Sequence, residues 1–420
     1  MNGQEREAAI IAEVTEWISA NWNPDLSLQA WREILVDGGW AAPAWPEACH
    51  GRGYTEAEAS VVSRVFRQHQ VVGAASSGPR GLAAETILAH GSDDQKKRYL
   101  RKILTGEHAW CQLFSEPGSG SDLAGSSTKA EFIDGRWIIN GQKVWNTSAH
   151  HADYGILLAR SDWDLPKHQG LTYFLIDMHQ PGVEVRPLRQ MNGHASFNEV
   201  FMTDAVVAAE DMIGGIGNGW AVAATTLSVE RRGFSRDRSV QSFAGLSGRV
   251  YDEYQEEQRI ANEPYTWYPQ RAGRVDLILS RARETGAIND PHVRQEIVRL
   301  LSMRKGADLA AAGAAAMKKA GTNEVIPAGS IAKLAASEIA RKAAHVHTMI
   351  SGPEAMLAGS DSALEGTIAE ILISVPAISI AGGTDEIQKN IISERVLDMP
   401  REPRFDTGPF RDIARNTADT

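Results

Sequence analysis

Hydrophobic positions follow helical spacing at both ends of the chain and strand spacing in the middle. Ile10, Ile11, Val14, Trp17 and Ile18 fall on one face of a helix, with charged residues between them. The pattern breaks at Gly38-Gly39 and across Pro43 to Gly53, where prolines and glycines collect. Helical spacing returns from Glu56, is interrupted around Gly73 to Gly81, and resumes to about Leu104. Between about Thr128 and Val207 the period becomes that of strands. Asp134-Gly135 and Asn140-Gly141 are hairpin-turn signals on either side of Trp137-Ile138-Ile139. Tyr154 to Ala159, Leu171 to Asp177, Val183 to Pro187 and Glu199 to Met202 are further candidate strands. From Gly219 the chain is alanine-rich and helical again, apart from an irregular polar stretch near Glu263 to Arg274. The expected fold class is α+β, mostly α. Residues 1–110 form an N-terminal helical domain, 111–213 a middle antiparallel β-domain (a barrel or sandwich), and 214–420 a C-terminal helical domain.

Composition narrows the function. A chain of 420 residues is too long for one ordinary core. With 43% hydrophobic and 23% charged residues it has the balance of a folded protein. A formal charge of -10 argues against nucleic acid as a partner. The two cysteines, Cys49 and Cys111, make no disulfide framework and fit a reducing cytoplasm. The first residues are charged at once, unlike a signal peptide. The longest apolar run, Ile371 to Ile380, carries Ser374, Pro376 and Ser379 and is too short to span a bilayer.

Four segments carry candidate chemistry. In Ser115-Glu116-Pro117-Gly118-Ser119-Gly120-Ser121-Asp122, glycines let a backbone approach a flat or anionic ligand, while Ser115 and Ser121 offer hydroxyls. Taken alone, the run reads as a serine-glycine turn. In Gly141-Gln142-Lys143-Val144-Trp145-Asn146-Thr147, strand alternation puts Trp145 and Thr147 on one face, which suits an isoalloxazine ring as well as a packed core. Ala381-Gly382-Gly383-Thr384-Asp385-Glu386-Ile387-Gln388 leads into a helix that Thr384 or Asp385 can cap, with N–H groups free to face a pyrophosphate. Val396 to Pro403 then closes the fold. Other signals are weaker. Gly215-Ile216-Gly217-Asn218-Gly219 lacks nucleotide-loop spacing and reads as a hinge. No carboxylate or cysteine cluster supports His150-His151 or His345-Val346-His347 as metal ligands, and nothing marks Cys111 as a nucleophile.

In this order and at these separations, the four segments resemble the acyl-CoA dehydrogenase family, from about Trp40 to about Asp412. The resemblance implies an N-terminal helical domain, a middle β-domain and a C-terminal four-helix bundle. It implies FAD as cofactor and dehydrogenation of an acyl-CoA to the trans-2-enoyl-CoA, as in fatty acid β-oxidation. An electron-transfer flavoprotein would be the acceptor, and a homo-oligomer, dimer or tetramer, the assembly. Residue by residue, it assigns Ser115, Gly120, Ser121, Trp145, Thr147, Thr384 and Glu386 to the cofactor. The Gly382 N–H would polarise the thioester carbonyl, with Ser121 and Arg231 also on the substrate side. In the short- and medium-chain branches the base precedes the Gly-Thr of the C-terminal motif. Gly382 holds that place here and cannot serve. The isovaleryl and long-chain branch carries a Glu-Arg pair on a helix after the β-domain, which points to Glu230 as the base and Arg231 as its neighbour. Two segments depart from the family pattern. Arg283-Glu284-Thr285-Gly286 lacks the phenylalanine of Arg-x-x-Phe-Gly, and Gln-x-x-Gly-Gly is blurred around Ser351-Gly352-Pro353. These departures keep two alternatives open, an oxygen-using acyl-CoA oxidase-like enzyme and a catalytically silent subunit of a hetero-oligomer. A branched, aromatic or ring-bearing acyl group is the expected substrate.

Overall fold

The computed structural model describes residues 3–75, 78–235, 243–319, 328–359, 362–403 and 406–413. Five helices come first: α1 Gly3–Asn21, α2 Leu28–Asp37, α3 Glu56–Gln68, α4 Pro79–His90 and α5 Asp93–Thr105. Local chemistry sets their starts. Ser27, Thr55 and Ser92 accept hydrogen bonds from backbone N–H groups three residues on, and Thr55 and Ser92 complete capping boxes with Glu58 and Gln95. Pro79 opens α4 where no N–H is needed. On α1 the predicted stripe buries Ile10, Val14 and Ile18 and leaves Ile11 at the surface.

Eight strands follow: β1 Trp110–Leu113, β2 Lys129–Ile133, β3 Arg136–Thr147, β4 Tyr154–Arg160, β5 Leu171–Asp177, β6 Val183–Leu188, β7 Phe197–Ala208 and β8 Met212–Ile213. They form one sheet in the order β6-β7-β3-β2-β4-β5-β8, with β1 beside β4. The sheet is mostly antiparallel, but β1 runs parallel to β4, and β2 meets β4 in parallel at Lys129 and Arg160. The two turn signals have different fates. Asp134-Gly135 makes the β2–β3 turn, with φ of 49° and 80°. Asn140-Gly141 lies inside β3, where the register against β7 shifts. Glycine is needed there because a Cβ on Gly141 would sit 2.6 Å from Thr128 Oγ1. The Ser115–Asp122 run, read from sequence as preceding the first strand, in fact follows β1, whose four residues are too few to show a period.

Strands β4 and β5 are buried on both faces. Ile156, Leu158, Leu171, Tyr173 and Leu175 point to α4 and α5, while Leu157, Ala159, Phe174 and Ile176 point into the β-domain. Glycines at 214, 215 and 217, all with positive φ, then turn the chain into α6 Gly219–Ser235. A Cβ on Gly219 would lie 2.7 Å from the backbone of Leu171 and Thr172, so α6 starts tight against β5.

The later helices are α7 Arg249–Asn262, α8 Tyr268–Arg271, α9 Val275–Glu284, α10 Pro291–Lys319, α11 Ala328–Ser351, α12 Thr367–Ser374 and α13 Asp385–Arg395. Although α7 follows α6 in sequence, it packs with the first helices, where Val250 and Tyr251 join Ile10, Trp31 and Val62. Glu253 accepts from Leu28 N at the start of α2 (2.7 Å), and Glu257 holds both Arg32 (2.6 and 3.0 Å) and Arg80 (3.0 Å). Burial alone would raise the Glu257 carboxyl; the two guanidiniums outweigh it and hold it below its ordinary value. The stretch Glu263 to Arg274 is ordered, not irregular. It holds α8 and buries Trp267, whose indole Nε1 donates to Ser196 Oγ at 3.0 Å. Helices α9 to α12 pack around Ile278, Ile297, Leu300 and Val346, and around Ala340, Ile368 and Ile371, and α13 lies against α11. Among the described residues, no helix is long and apolar enough to cross a membrane.

Candidate active site

The Ser115–Asp122 loop and β3 meet at the rim of the β-domain. Val144 N donates to Ser115 O at 2.9 Å, and Glu116 and Ser119 exchange backbone hydrogen bonds at 2.9 and 3.0 Å. Beneath the loop lies a buried ion pair that the sequence reading did not single out. Lys143 Nζ donates to Glu116 Oε1 (2.8 Å) and to Phe114 O (2.9 Å). The carboxylate also accepts from Ser127 N (2.7 Å), Ser127 Oγ (3.0 Å) and Thr128 N (2.9 Å). Burial by itself would raise the Glu116 carboxyl. The Lys143 charge and these donors outweigh that and hold it at about 2. One signal was available in sequence: Lys143 is a lone charge in the middle of a long strand pattern.

Above this pair the surface is open. Gly120, Ser121 and Asp122 are exposed and Ser115 is half-buried. A Cβ on Gly120 would meet no atom within 4 Å, so packing gives no reason for glycine there. Trp145 stands beside the loop, 55% exposed and at φ 65°. A bulky residue at positive φ is strained, and a bulge between Lys143 and Asn146 in the β3–β7 register imposes it. Thr147 lies on the same outward side, half-buried, while Asn146 turns inward. Asn146 Nδ2 donates to Gln112 O (2.7 Å), and Asn146 O accepts from Asn198 Nδ2 (2.9 Å), which pins the bulge to β1 and β7. The Trp145 ring meets Phe197 edge-on at 5.7 Å, and Phe197 meets the buried Trp267 at 6.4 Å.

The Gly382 to Glu386 turn stands on the helical bundle. Gly382 and Gly383 have φ of 69° and 86°. Of the two possible caps, it is Thr384 that accepts from Ile387 N, at 3.2 Å. Asp385 is buried and bonds Lys333 Nζ and Arg341 Nη1 on α11, each at 2.7 Å. Burial opposes the Asp385 charge, but those two cations hold its carboxyl far below the usual range. Glu386 is exposed. The turn's ion pairs therefore run to α11 and not to the β-domain rim.

Glu230 is half-buried near the end of α6. Four residues earlier, Thr226 is fully buried and shares hydrogen bonds with Thr86 (2.8 Å) and Tyr173 OH (3.0 Å), which locks the helix to α4 and β5. The Arg231 side chain lies outside the described part of the protein. Val396 to Pro403 forms no helix or strand, and Leu397 and Met399 are exposed. His345 is exposed and His347 buried, on opposite sides of α11. No group of His, Cys, Asp and Glu among the described residues is arranged to hold a metal. Burial pushes the Cys111 thiol up, away from nucleophile chemistry.

Helices, a sheet with an outward indole and a helical bundle follow one another in a three-part architecture. Solved structures share it. The Tcur3481-Tcur3483 steroid ACAD aligns with a TM-score of 0.63 at 20% identity, over 95% of this chain and 98% of that one. The ChsE4-ChsE5 complex from Mycobacterium tuberculosis aligns at 0.60 and 20%, over 96% and 99%. Family models for the N-terminal, middle and C-terminal domains of acyl-CoA dehydrogenases match residues 6–107, 111–205 and 271–397. The chain belongs to the acyl-CoA dehydrogenase family and is an oxidoreductase of that class. It is 32% identical to the acyl-CoA dehydrogenase IpdE1 of M. tuberculosis over 380 residues, 90% of this chain and 89% of that protein. It is 47% identical to the acyl-CoA dehydrogenase FadE34 of the same organism over 203 residues, which span 47% of this chain and only 27% of that longer protein. Members of the family are flavoproteins.

Replacing Lys143 with Met leaves the Glu116 carboxylate buried without its cation and should cost about 3 kcal/mol in urea unfolding at neutral pH. The sign of the pH effect follows from the lowered Glu116 carboxyl. In the parent, its contribution is full above about pH 4.5 and fades as the pH falls toward about 2. The stability gap between Lys143→Met and parent should therefore narrow in acid; a constant gap would exclude the pair as its origin.

Proposed function

We propose that the chain is a FAD-dependent acyl-CoA dehydrogenase with Glu230 as its base, forming a trans-2-enoyl-CoA. The observation that carries the reading is Trp145, a strained and exposed indole beside an open glycine loop. The contact with Phe197 still leaves Trp145 55% exposed, and a strained, largely exposed indole supports a planar ligand on that face. Ser115, Gly120, Ser121, Trp145 and Thr147 fit the ring half of FAD, with Thr384 and Glu386 contributing from α13. When bound, FAD supplies the acceptor for the hydride that leaves the β-carbon.

The chain's own groups handle the proton. An α-proton is far too weak an acid for a carboxylate unless the thioester carbonyl is polarised, and the Gly382 N–H is the donor we assign to it. Glu230 then takes the proton from the α-carbon. Gly382 is at φ 69°, a conformation in which a glutamate would be strained, so the turn is built without a base of its own. The missing side chain also leaves room beside the acyl group, which supports a branched or ring-bearing substrate. Ser121 and Arg231 serve the acyl-CoA, and an electron-transfer flavoprotein takes the electrons.

A second reading concerns assembly. Val298, Leu301, Met303 and Leu309 on α10, with Met356 and Ile380 nearby in sequence to the bundle's turns, leave large apolar side chains exposed. Such surface favours a further subunit. Light scattering on the purified chain should give a dimer or tetramer with bound flavin. A colourless monomer would instead assign it as one subunit of a hetero-oligomer.

A panel of acyl-CoAs mixed anaerobically with the flavin-loaded protein tests the reaction. The right substrate bleaches the flavin, and slow recolouring in air separates a dehydrogenase from an oxidase. Glu230→Gln should keep flavin and substrate binding yet slow bleaching by about three orders of magnitude or more; retained turnover removes Glu230 from the base role. Trp145→Gly relieves the positive φ, so apoprotein stability should stay within about 1 kcal/mol of the parent while FAD affinity falls. Undiminished FAD affinity in Trp145→Gly would take the cofactor away from this face.

A further inference from the structure

After α13 the chain returns to the β-domain. Residues 406–413 dock on the loop between β4 and β5, beyond the 271–397 span that the C-terminal family model matches. Phe410 N donates to Leu165 O and Arg411 N to Trp163 O, each at 3.0 Å. The Phe410 side chain is buried, 5.3 Å from the Trp163 ring. The Arg160 guanidinium lies over the Phe410 ring, 3.4 Å from its centroid.

Arg160 is itself fully buried and bonds three backbone carbonyls: Ala124 O (2.6 Å), Ser126 O (3.0 Å) and Lys167 O (3.2 Å). Two of these lie just after the Ser115–Asp122 loop. Lys167, also buried, bonds Asp122 Oδ1 at 2.8 Å and pairs with Asp406. The loop thus has two anchors. Glu116 and Lys143 hold its start from below. Its end, next to Ser121, is tied locally by Ser119 Oγ and Gly125 N, which both donate to Asp122 O (2.5 and 2.9 Å), and from farther along the chain by Lys167 and Arg160; residues 406–413 cover both of those cations. An ion pair to the exposed Asp122 would count for little in open water; Asp406 and Phe410 remove Lys167 and Arg160 from it.

We propose that residues 406–413 are a positioning element of the acyl-CoA site, holding the Ser121 end of the loop through Lys167 and Arg160. The assignment rests on the reading of that loop as part of the acyl-CoA site. Phe410 bears on Arg160 and Trp163, and Asp406 on Lys167. They act through the two cations.

Full-length, flavin-loaded Phe410→Ala and Asp406→Asn test it, with Phe410→Tyr as the conservative control. Hydrogen exchange of the amides of 118–127 should speed up about tenfold, while those of β3, held from below, stay as in the parent. The Kd for coenzyme A, measured by calorimetry, should rise about tenfold at unchanged flavin content, and Phe410→Tyr should restore both readouts. If Phe410→Ala does not fold, Asp406→Asn removes one ion pair and keeps the buried ring. Unchanged exchange in 118–127 overturns the coupling. Faster exchange with an unchanged Kd makes the segment a structural clip and overturns its role in the site. A parent protein that binds no coenzyme A overturns the reading of the loop, and this assignment with it.

Discussion

Two strands buried on both faces hold this protein together. Along β4 and β5, alternate side chains feed two different cores, one shared with α4 and α5 and one inside the β-domain. Neither strand can slide by one residue without exchanging those sets, so the register fixes where α6 begins. Gly219 is pressed against β5, and Thr226 joins Tyr173 and Thr86 in a buried hydroxyl cluster. The position of Glu230 relative to the β-domain follows from that contact. A carboxylate carried on a helix is only as well placed as the strand its helix rests on.

Around the candidate site the structure trades local strain against buried charge. Trp145 sits at a backbone angle that a bulky residue avoids, and the hydrogen bonds of Asn146 and Asn198 keep it there. The exposed loop beside it has little packing of its own and depends on Glu116 and Lys143 at its start and on Lys167 and Arg160 at its end. The Gly382 turn repeats the arrangement on the bundle, where Asp385, Lys333 and Arg341 fix the start of α13. Buried ion pairs are costly to form, but once formed they are severe about geometry. That property suits surfaces that must stay open for a ligand.

Much of the fold was legible in the chain itself. The shift from helical to strand spacing and back marks the three regions, and helical spacing from Glu56 places the start of α3, which Thr55 caps, whereas the break between α4 and α5 at Ser92 was not read. The motif order was enough to indicate the family. Other features were illegible for definite reasons. Asn140-Gly141 has the residues of a hairpin turn, yet its glycine answers a close approach by Thr128, the residue just before β2. The stretch Glu263 to Arg274 shows no period because its partners are distant in the chain: Ser196 for Trp267, 71 residues away, and Glu370 for Gln270, 100 residues away. The helix α7 was legible but its packing place was not, because Glu253 and Glu257 find partners 225 residues earlier.

What the sequence determined alone is therefore what depends on neighbours in the chain: period, capping, turns, and the motifs that mark the family. Only the tertiary structure decided that Lys143 lies under the loop, that Trp145 is turned outward, and that residues 406–413 come back to Arg160 and Lys167. Each of these depends on which distant group satisfies a buried charge or covers an open face. Low-dielectric burial makes such pairings obligatory, but no local pattern says which partner will be found.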